Sequence, residues 1–200
     1  MQLILASRNG HKVREIERIL GPRFVVGDLS SRDEVAEIDE SGSSYEENAI
    51  LKAVTVSRQL PGLIIADDSG LEVDALGGAP GIYSARCAGA NATDEEKISK
   101  LLSELVKVNA RGDQRSARFR CALAVARGGQ VLATFEGVVE GKIAERPRGS
   151  HGFGYDPVFI PNGFKETFAE LLEEVKNNIS HRAKAFRKLQ AKLPTLCGKA

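Results

Sequence analysis

Four apolar residues, Leu63-Ile64-Ile65-Ala66, run directly into Asp67-Asp68-Ser69-Gly70. The run has strand propensity and demands burial. Two adjacent carboxylates demand water, a cation or a proton. The pattern predicts a strand over 63–66 that ends on the carboxylates, the place where α/β proteins tend to put their sites. Neighbouring strand residues face opposite sides of a sheet, so Asp67 and Asp68 are expected to do different jobs.

The flanking sequence supplies the other elements. Leu3–Ala6 reads as a first strand, Ser7–Gly10 as a turn, and Lys12–Leu20 as a helix with Val13, Ile16, Ile19 and Leu20 at helical spacing. A short strand is expected at Phe24–Val26, a polar loop over 27–44, and a helix from Tyr45 to Leu60 stopped by Pro61-Gly62. Thr93-x-x-Glu96 is a capping box for a helix reaching about Val108. Arg118–Ala126 and Gln130–Glu136 flank Gly128-Gly129 and predict a hairpin. Further strands are expected at Val138–Ala144 and Pro157–Ile160. Ser180 is read as the cap of a basic helix over His181–Leu193, stopped by Pro194. Helices mixed with a hairpin argue for an α/β fold with a central mixed β-sheet flanked by helices.

The 200 residues, 42% hydrophobic, suffice for one sizeable core. With 28 basic and 27 acidic residues, the chain lacks a large field of one sign, so neither nucleic acid nor membrane is an expected partner. The apolar start lacks a basic leader, and Cys87, Cys121 and Cys197 form no metal or disulfide spacing. They read as small apolar fillers in a reducing, cytoplasmic setting.

Four further stretches carry chemistry. Ser7-Arg8-Asn9-Gly10-His11-Lys12, between a strand and a helix, offers amides, hydroxyl and cations to phosphate. Glu46 and Glu47 open a helix, where one could hold a cation. In Phe153-Gly154-Tyr155-Asp156, glycines let the backbone approach a flat ligand, two rings offer stacking faces, and a carboxylate can accept from ring N–H groups. Lys176, His181 and Arg182 surround a helix start and suit an anion or a polar ring edge. Hard carboxylates with cations and an aromatic slot point to a nucleoside triphosphate handled with Mg²⁺.

SRN-GHK, YEENAILKA, IADDSGLEVDALGGAPGIYSAR, GFGYDP and ISHRA, in this order, resemble the inosine triphosphate pyrophosphatase family from Leu3 to about Leu193. The resemblance implies one domain over 1–200, elongated and two-lobed with its active-site cleft between the lobes, and a homodimer. It implies Mg²⁺-dependent hydrolysis of ITP, dITP and XTP to the monophosphate and pyrophosphate, which keeps these purines out of DNA and RNA. Carried over residue by residue, the phosphate loop falls on Ser7, Arg8, Asn9, Gly10, His11 and Lys12. The metal ligands fall on Glu47 and Asp68, with Asp68 activating water, Lys12 assisting, and Ser69 touching substrate. The base pocket falls on Phe153, Gly154, Tyr155, Asp156, Lys176, His181 and Arg182. Arg8 and His11 stand where the family loop has glycines, Cys87 where it has tyrosine, and Val175 where glutamate is common. An aspartyl-phosphate phosphatase would want D-x-D rather than D-D-S-G. A pyrimidine-directed relative and a non-hydrolysing nucleotide sensor are the other readings.

Overall fold

The computed structural model describes residues 2–36 and 38–197. Six strands form one mixed sheet in the order β2-β1-β3-β4-β5-β6. They are β1 (Gln2–Leu5), β2 (Val25–Gly27), β3 (Ile64–Val73), β4 (Ser116–Arg127), β5 (Gln130–Ile143) and β6 (Phe159–Pro161). The helices are α1 (Gly10–Leu20), α2 (Tyr45–Gln59), α3 (Asp94–Lys107), α4 (Glu173–Ile179) and α5 (His181–Cys197). β1 pairs in parallel with β2 and β3, and β5 is antiparallel to β6. None of the helices among the described residues is long and apolar enough to cross a membrane.

Local chemistry accounts for most boundaries. Thr93 and Glu96 complete the capping box of α3 at 3.2 and 2.7 Å. Ser44 caps α2, accepting from the Glu47 amide. The β4–β5 turn needs positive φ at both central positions, and Gly128 (57°) and Gly129 (82°) provide it.

Three expectations change. β3 does not stop at Ala66 but continues for ten residues, so Asp67 and Asp68 lie inside it. The strands expected at Gln130–Glu136 and Val138–Ala144 are one continuous β5. α5 runs through Pro194 to Cys197. Proline there removes only an amide in the last turn, while Ala185, Phe186, Leu189 and Leu193 hold the helix on its core.

The chain divides into two compact units. Residues 1–68, 121–137 and 181–200 make the first, and 69–120 with 138–180 the second. In the first unit the strands alternate strictly. Leu3, Leu5, Leu63, Ile65, Cys121, Leu123 and Val125 pack with Val13 and Ile16 of α1 and with Phe186 and Leu189 of α5. Ile4, Ala6, Ile64, Ala66, Ala122, Ala124 and Ala126 pack instead with Ala49, Ala53 and Val56 of α2. The second unit has its own core, with Phe119, Phe159 and Phe168 in mutual ring contact.

α5 lies close on β5 at Gly137, where a β-carbon would stand 2.0 Å from the His181 carbonyl oxygen and 2.6 Å from the Ala185 nitrogen. Both are backbone atoms, so only movement of the helix or strand can relieve the contact. Gly137→Ala is therefore expected to lower stability by about 1–3 kcal/mol. A urea-denaturation midpoint equal to that of the parent would refute this.

Candidate active site

The alternation that sorts the core also sorts the carboxylates. Asp67 falls on the α1/α5 side and Asp68 on the α2 side, as the two-residue period of a strand requires. The two carboxylates therefore lie in different surroundings.

Asp67 is buried, with a side-chain exposure of 0%, and is wrapped by cations. Lys12 Nζ of α1 lies 2.6 Å from Oδ1, and Arg182 Nε of α5 donates to Oδ2 at 3.1 Å. The Cys121 thiol donates to the same oxygen. Burial opposes ionisation, yet Arg182 and Lys12 hold the carboxyl well below the usual carboxylate range. Arg182 in turn donates through Nη1 to Glu15 at 2.7 Å. The result is a buried row of alternating charge, Lys12–Asp67–Arg182–Glu15.

Asp68 has different company. Lys52 Nζ donates to Oδ1 at 2.8 Å, to the Asp67 carbonyl at 2.9 Å and to Glu40 at 2.8 Å. The Asn48 amide donates to Oδ2 at 3.3 Å. Gly42 N–H donates to Asn48 Oδ1 at 2.8 Å, which turns the NH₂ group toward Asp68. Burial raises the Asp68 pKa above its ordinary value despite Lys52. For Lys52, burial favours the neutral amine, but Asp68 and Glu40 outweigh it and raise its pKa.

The expected phosphate loop forms the entry to α1. Asn9 is its cap, accepting from the amides of His11 and Lys12 at 3.0 and 3.2 Å. Ser7 Oγ accepts from the Asn9 amide. Arg8 donates to the carbonyls of Arg32 and Val35, so its side chain ties down a neighbouring loop. His11 pairs with Arg14. Gly10 opens α1.

Glu47 is exposed in the first turn of α2. Its Oε2 accepts from the amide and hydroxyl of Ser43, both at 2.7 Å, and those bonds lower its pKa. Glu46 accepts from Thr134. Ser69 is half-buried within β3.

In the second unit the structure brings Phe153, Gly154, Tyr155, Asp156 and Lys176 together. Asp156 Oδ2 accepts from the Phe153 amide at 2.9 Å and from Lys176 Nζ at 2.5 Å. Lys176 Nζ also stands 5.0 Å from the Phe153 ring centroid, a cation–π contact. A β-carbon on Gly152 would lie 2.0 Å from Asp156 Oδ2, at φ +77°, so only glycine fits that turn. The Gly154 amide donates to Asp94 at the start of α3.

Two of the expected base contacts lie in the interior. Tyr155 is a core residue, 4% exposed, and its hydroxyl donates to the Ser84 carbonyl while the Cys87 thiol lies 2.9 Å away. Its ring packs the interior, whereas Phe153 is half-buried. Arg182 is committed to Asp67 and Glu15, because a fully buried guanidinium needs carboxylates around it. His181, also buried, opens α5. Nor are the cysteines mere fillers. Cys87 and Cys121 are unbridged and both take part in hydrogen bonds, whereas the Cys197 side chain lies outside the described residues.

The sequence reading missed Lys52, Asn48, Glu40 and Glu15. Asn48 and Lys52 do leave a signal, a polar i,i+4 pair set among Ala49, Ala53 and Val56 on the buried stripe of α2. Glu40, in an aperiodic loop, leaves none.

The chain resembles known proteins over nearly its whole length. The Ham1 family model matches residues 3–192. Proteins named dITP/XTP pyrophosphatase from Bacillus licheniformis and Bacillus subtilis are each 51% identical to this chain. The first match covers 96% of this chain and 97% of the relative, and the second covers 94% of each. The structure of a HAM1 protein from Coxiella burnetii superposes with a TM-score of 0.86 at 40% identity, covering 98% of this chain and 99% of that one. The Staphylococcus aureus Ham1 protein gives 0.84 at 41% identity, again covering 98% and 99%. This chain belongs to the Ham1 family.

Proposed function

We propose that this chain is a nucleoside-triphosphate pyrophosphohydrolase. Its substrates on this reading are the non-standard purine nucleotides ITP, dITP and XTP, which it hydrolyses to the monophosphate and pyrophosphate. The observation that carries the reading is the division of labour at β3. One carboxylate, Asp67, is fixed by two cations as a structural anion. The other, Asp68, has a raised pKa and spare acceptor capacity, as a group that takes a proton from water requires. The names of the Bacillus relatives support the same activity.

In this mechanism Asp68 orients a water against the α-phosphorus and takes its proton. The new P–O bond forms as the bond to the bridging oxygen breaks, and pyrophosphate leaves. Lys52 holds the Asp68 carboxylate in place. Among the described residues Lys12 pairs with Asp67 Oδ1, and it has further N–H donors for a phosphate oxygen. The amino end of α1 adds positive potential. Phe153 offers its face to the purine, and Lys176, oriented by Asp156, donates to the 6-oxo group. Adenine, with a 6-amino group, would leave that buried donor unpaired.

Mg²⁺ suits the donor set. Asp68 and Glu47 offer hard, ionisable oxygens that Lys52, Asn48 and Ser43 only partly occupy. Mg²⁺ usually takes one or two carboxylates and completes its shell with water and phosphate. When bound it would offset charge on the phosphate oxygens. A cytoplasmic homodimer completes the proposal.

The test is pyrophosphate release from ITP, XTP, dITP, GTP and ATP, with Mg²⁺ and then with EDTA. Mg²⁺-dependent release from the first three alone is the expected outcome, and release from none would overturn the reading. Phe153→Ala should raise KM for ITP by about tenfold, from lost stacking worth roughly 1–1.5 kcal/mol, with kcat less affected. An unchanged KM would remove Phe153 from the base site.

A further inference from the structure

The second unit contains a cavity of about 660 Å³ that shares no residue with the candidate active-site groups described above. Arg115, Lys142, Arg146, Arg148 and Lys165 line it, with Phe164 as an aromatic wall and Glu145 as the single acid. Elsewhere in this unit Arg118 meets three carboxylates, Glu72, Asp74 and Glu140. The cations of the cavity are less well matched. Among the described residues Arg115 meets no carboxylate, since its guanidinium is satisfied by the carbonyls of Ala110, Ile143 and Ala144. Burial disfavours its charge, and Glu145, beyond ion-pair distance, offsets this only in part, a state that a bound anion would relieve. Lys142, Arg146 and Lys165 are exposed at the rim and make no ion pair among the described residues.

Arg148 adds a second, independent sign. It reaches Glu170 at 3.4 Å and donates to the Lys165 carbonyl through the same Nη2. Its Nε is buried and has no partner among the described residues. A buried N–H without an acceptor is costly, and arginine presents Nε and Nη together to a planar pair of oxygens.

We infer that this cavity binds a small multivalent oxyanion, a phosphate or polyphosphate group. The volume lies within the range of small-molecule sites, about 300–1,000 Å³. Arginines in number favour phosphate geometry over a halide or a single carboxylate. Phe164 and Ile160 leave an apolar side for the rest of a phosphorylated molecule.

The test follows the arginine Nε–Hε resonances of the full chain by ¹⁵N NMR in EDTA, as inorganic phosphate or pyrophosphate is added. The Arg148 signal is identified by its loss in Arg148→Lys. It is expected to move saturably at millimolar anion or below. The combined change Lys142→Gln, Arg146→Gln and Lys165→Gln, all at exposed positions, should weaken the response about tenfold or more. Which anion saturates first tells a single phosphate from a polyphosphate. An Arg148 signal that stays still, or an affinity equal in the triple variant, would overturn the inference. The readout needs no turnover, so it stands or falls separately from the proposed hydrolysis.

Discussion

Asp68→Asn is expected to cut pyrophosphate release by roughly 10²–10⁴-fold, the usual contribution of a positioned acid–base group, while the fold survives. Asparagine keeps the shape and an acceptor oxygen. Lys52 keeps Glu40 and the Asp67 carbonyl as partners. The loss should therefore appear in kcat with an unaltered denaturation midpoint. A variant within tenfold of the parent would remove Asp68 from the chemistry. A collapse of stability would show that its carboxylate, like that of Asp67, serves the fold.

Arg182→Ala should do the reverse and remove about 3–5 kcal/mol of stability, as loss of one partner from a buried ion cluster does. The guanidinium is among the largest fully buried groups in the chain and faces both Asp67 and Glu15. Without it, Asp67 keeps Lys12 and the Cys121 thiol, and Glu15 loses the bond from Nη1. Urea unfolding measures the change directly. The family resemblance assigns Arg182 to the purine, and that assignment makes the opposite forecast, a raised KM with stability intact. A loss of stability below about 1 kcal/mol would decide for the purine.

The contrast between these residues shows what a single sequence makes visible. The capping box at Thr93 and the double-glycine turn at 128–129 are local devices, complete within four residues, and both were legible. The extent of β3 was not. Two aspartates break an apolar run, and nothing nearby announces that an arginine 115 positions away makes the first of them tolerable inside a sheet. Arg182 itself looked like one cation of an exposed basic stretch, since burial is a property of the packed chain. Tyr155 misled for a related reason. A tyrosine beside glycines has the composition of a stacking platform, and only the contact of its hydroxyl with Ser84 identifies it as interior. Lys52 was recoverable in principle, as a charged residue on the stripe that α2 buries. At Phe153–Asp156 the sequence offered Asp156 as an acceptor for ring N–H groups, whereas in the structure its Oδ2 accepts from the Phe153 amide, a turn closed over three residues.

The alternation along β3 has a consequence for how this chain can change length. Removing one residue from the stretch before Asp67 would slide Asp68 into the place of Asp67, Ser69 into the place of Asp68, and Asp67 into the apolar place of Ala66. An aspartate would still face Arg182 and Lys12, but Lys52 and Asn48 would meet a serine, and a carboxylate would be buried among Ala49, Ala53 and Val56. No amino acid would be replaced, yet the carboxylate beside Lys52 would be lost and a new buried charge made. Substitutions here can be tried one at a time, whereas an insertion or deletion acts on both at once. Among homologues the spacing from Leu63 to Asp68 should therefore stay fixed even where its apolar members interchange, and gaps should gather in the connecting loops instead.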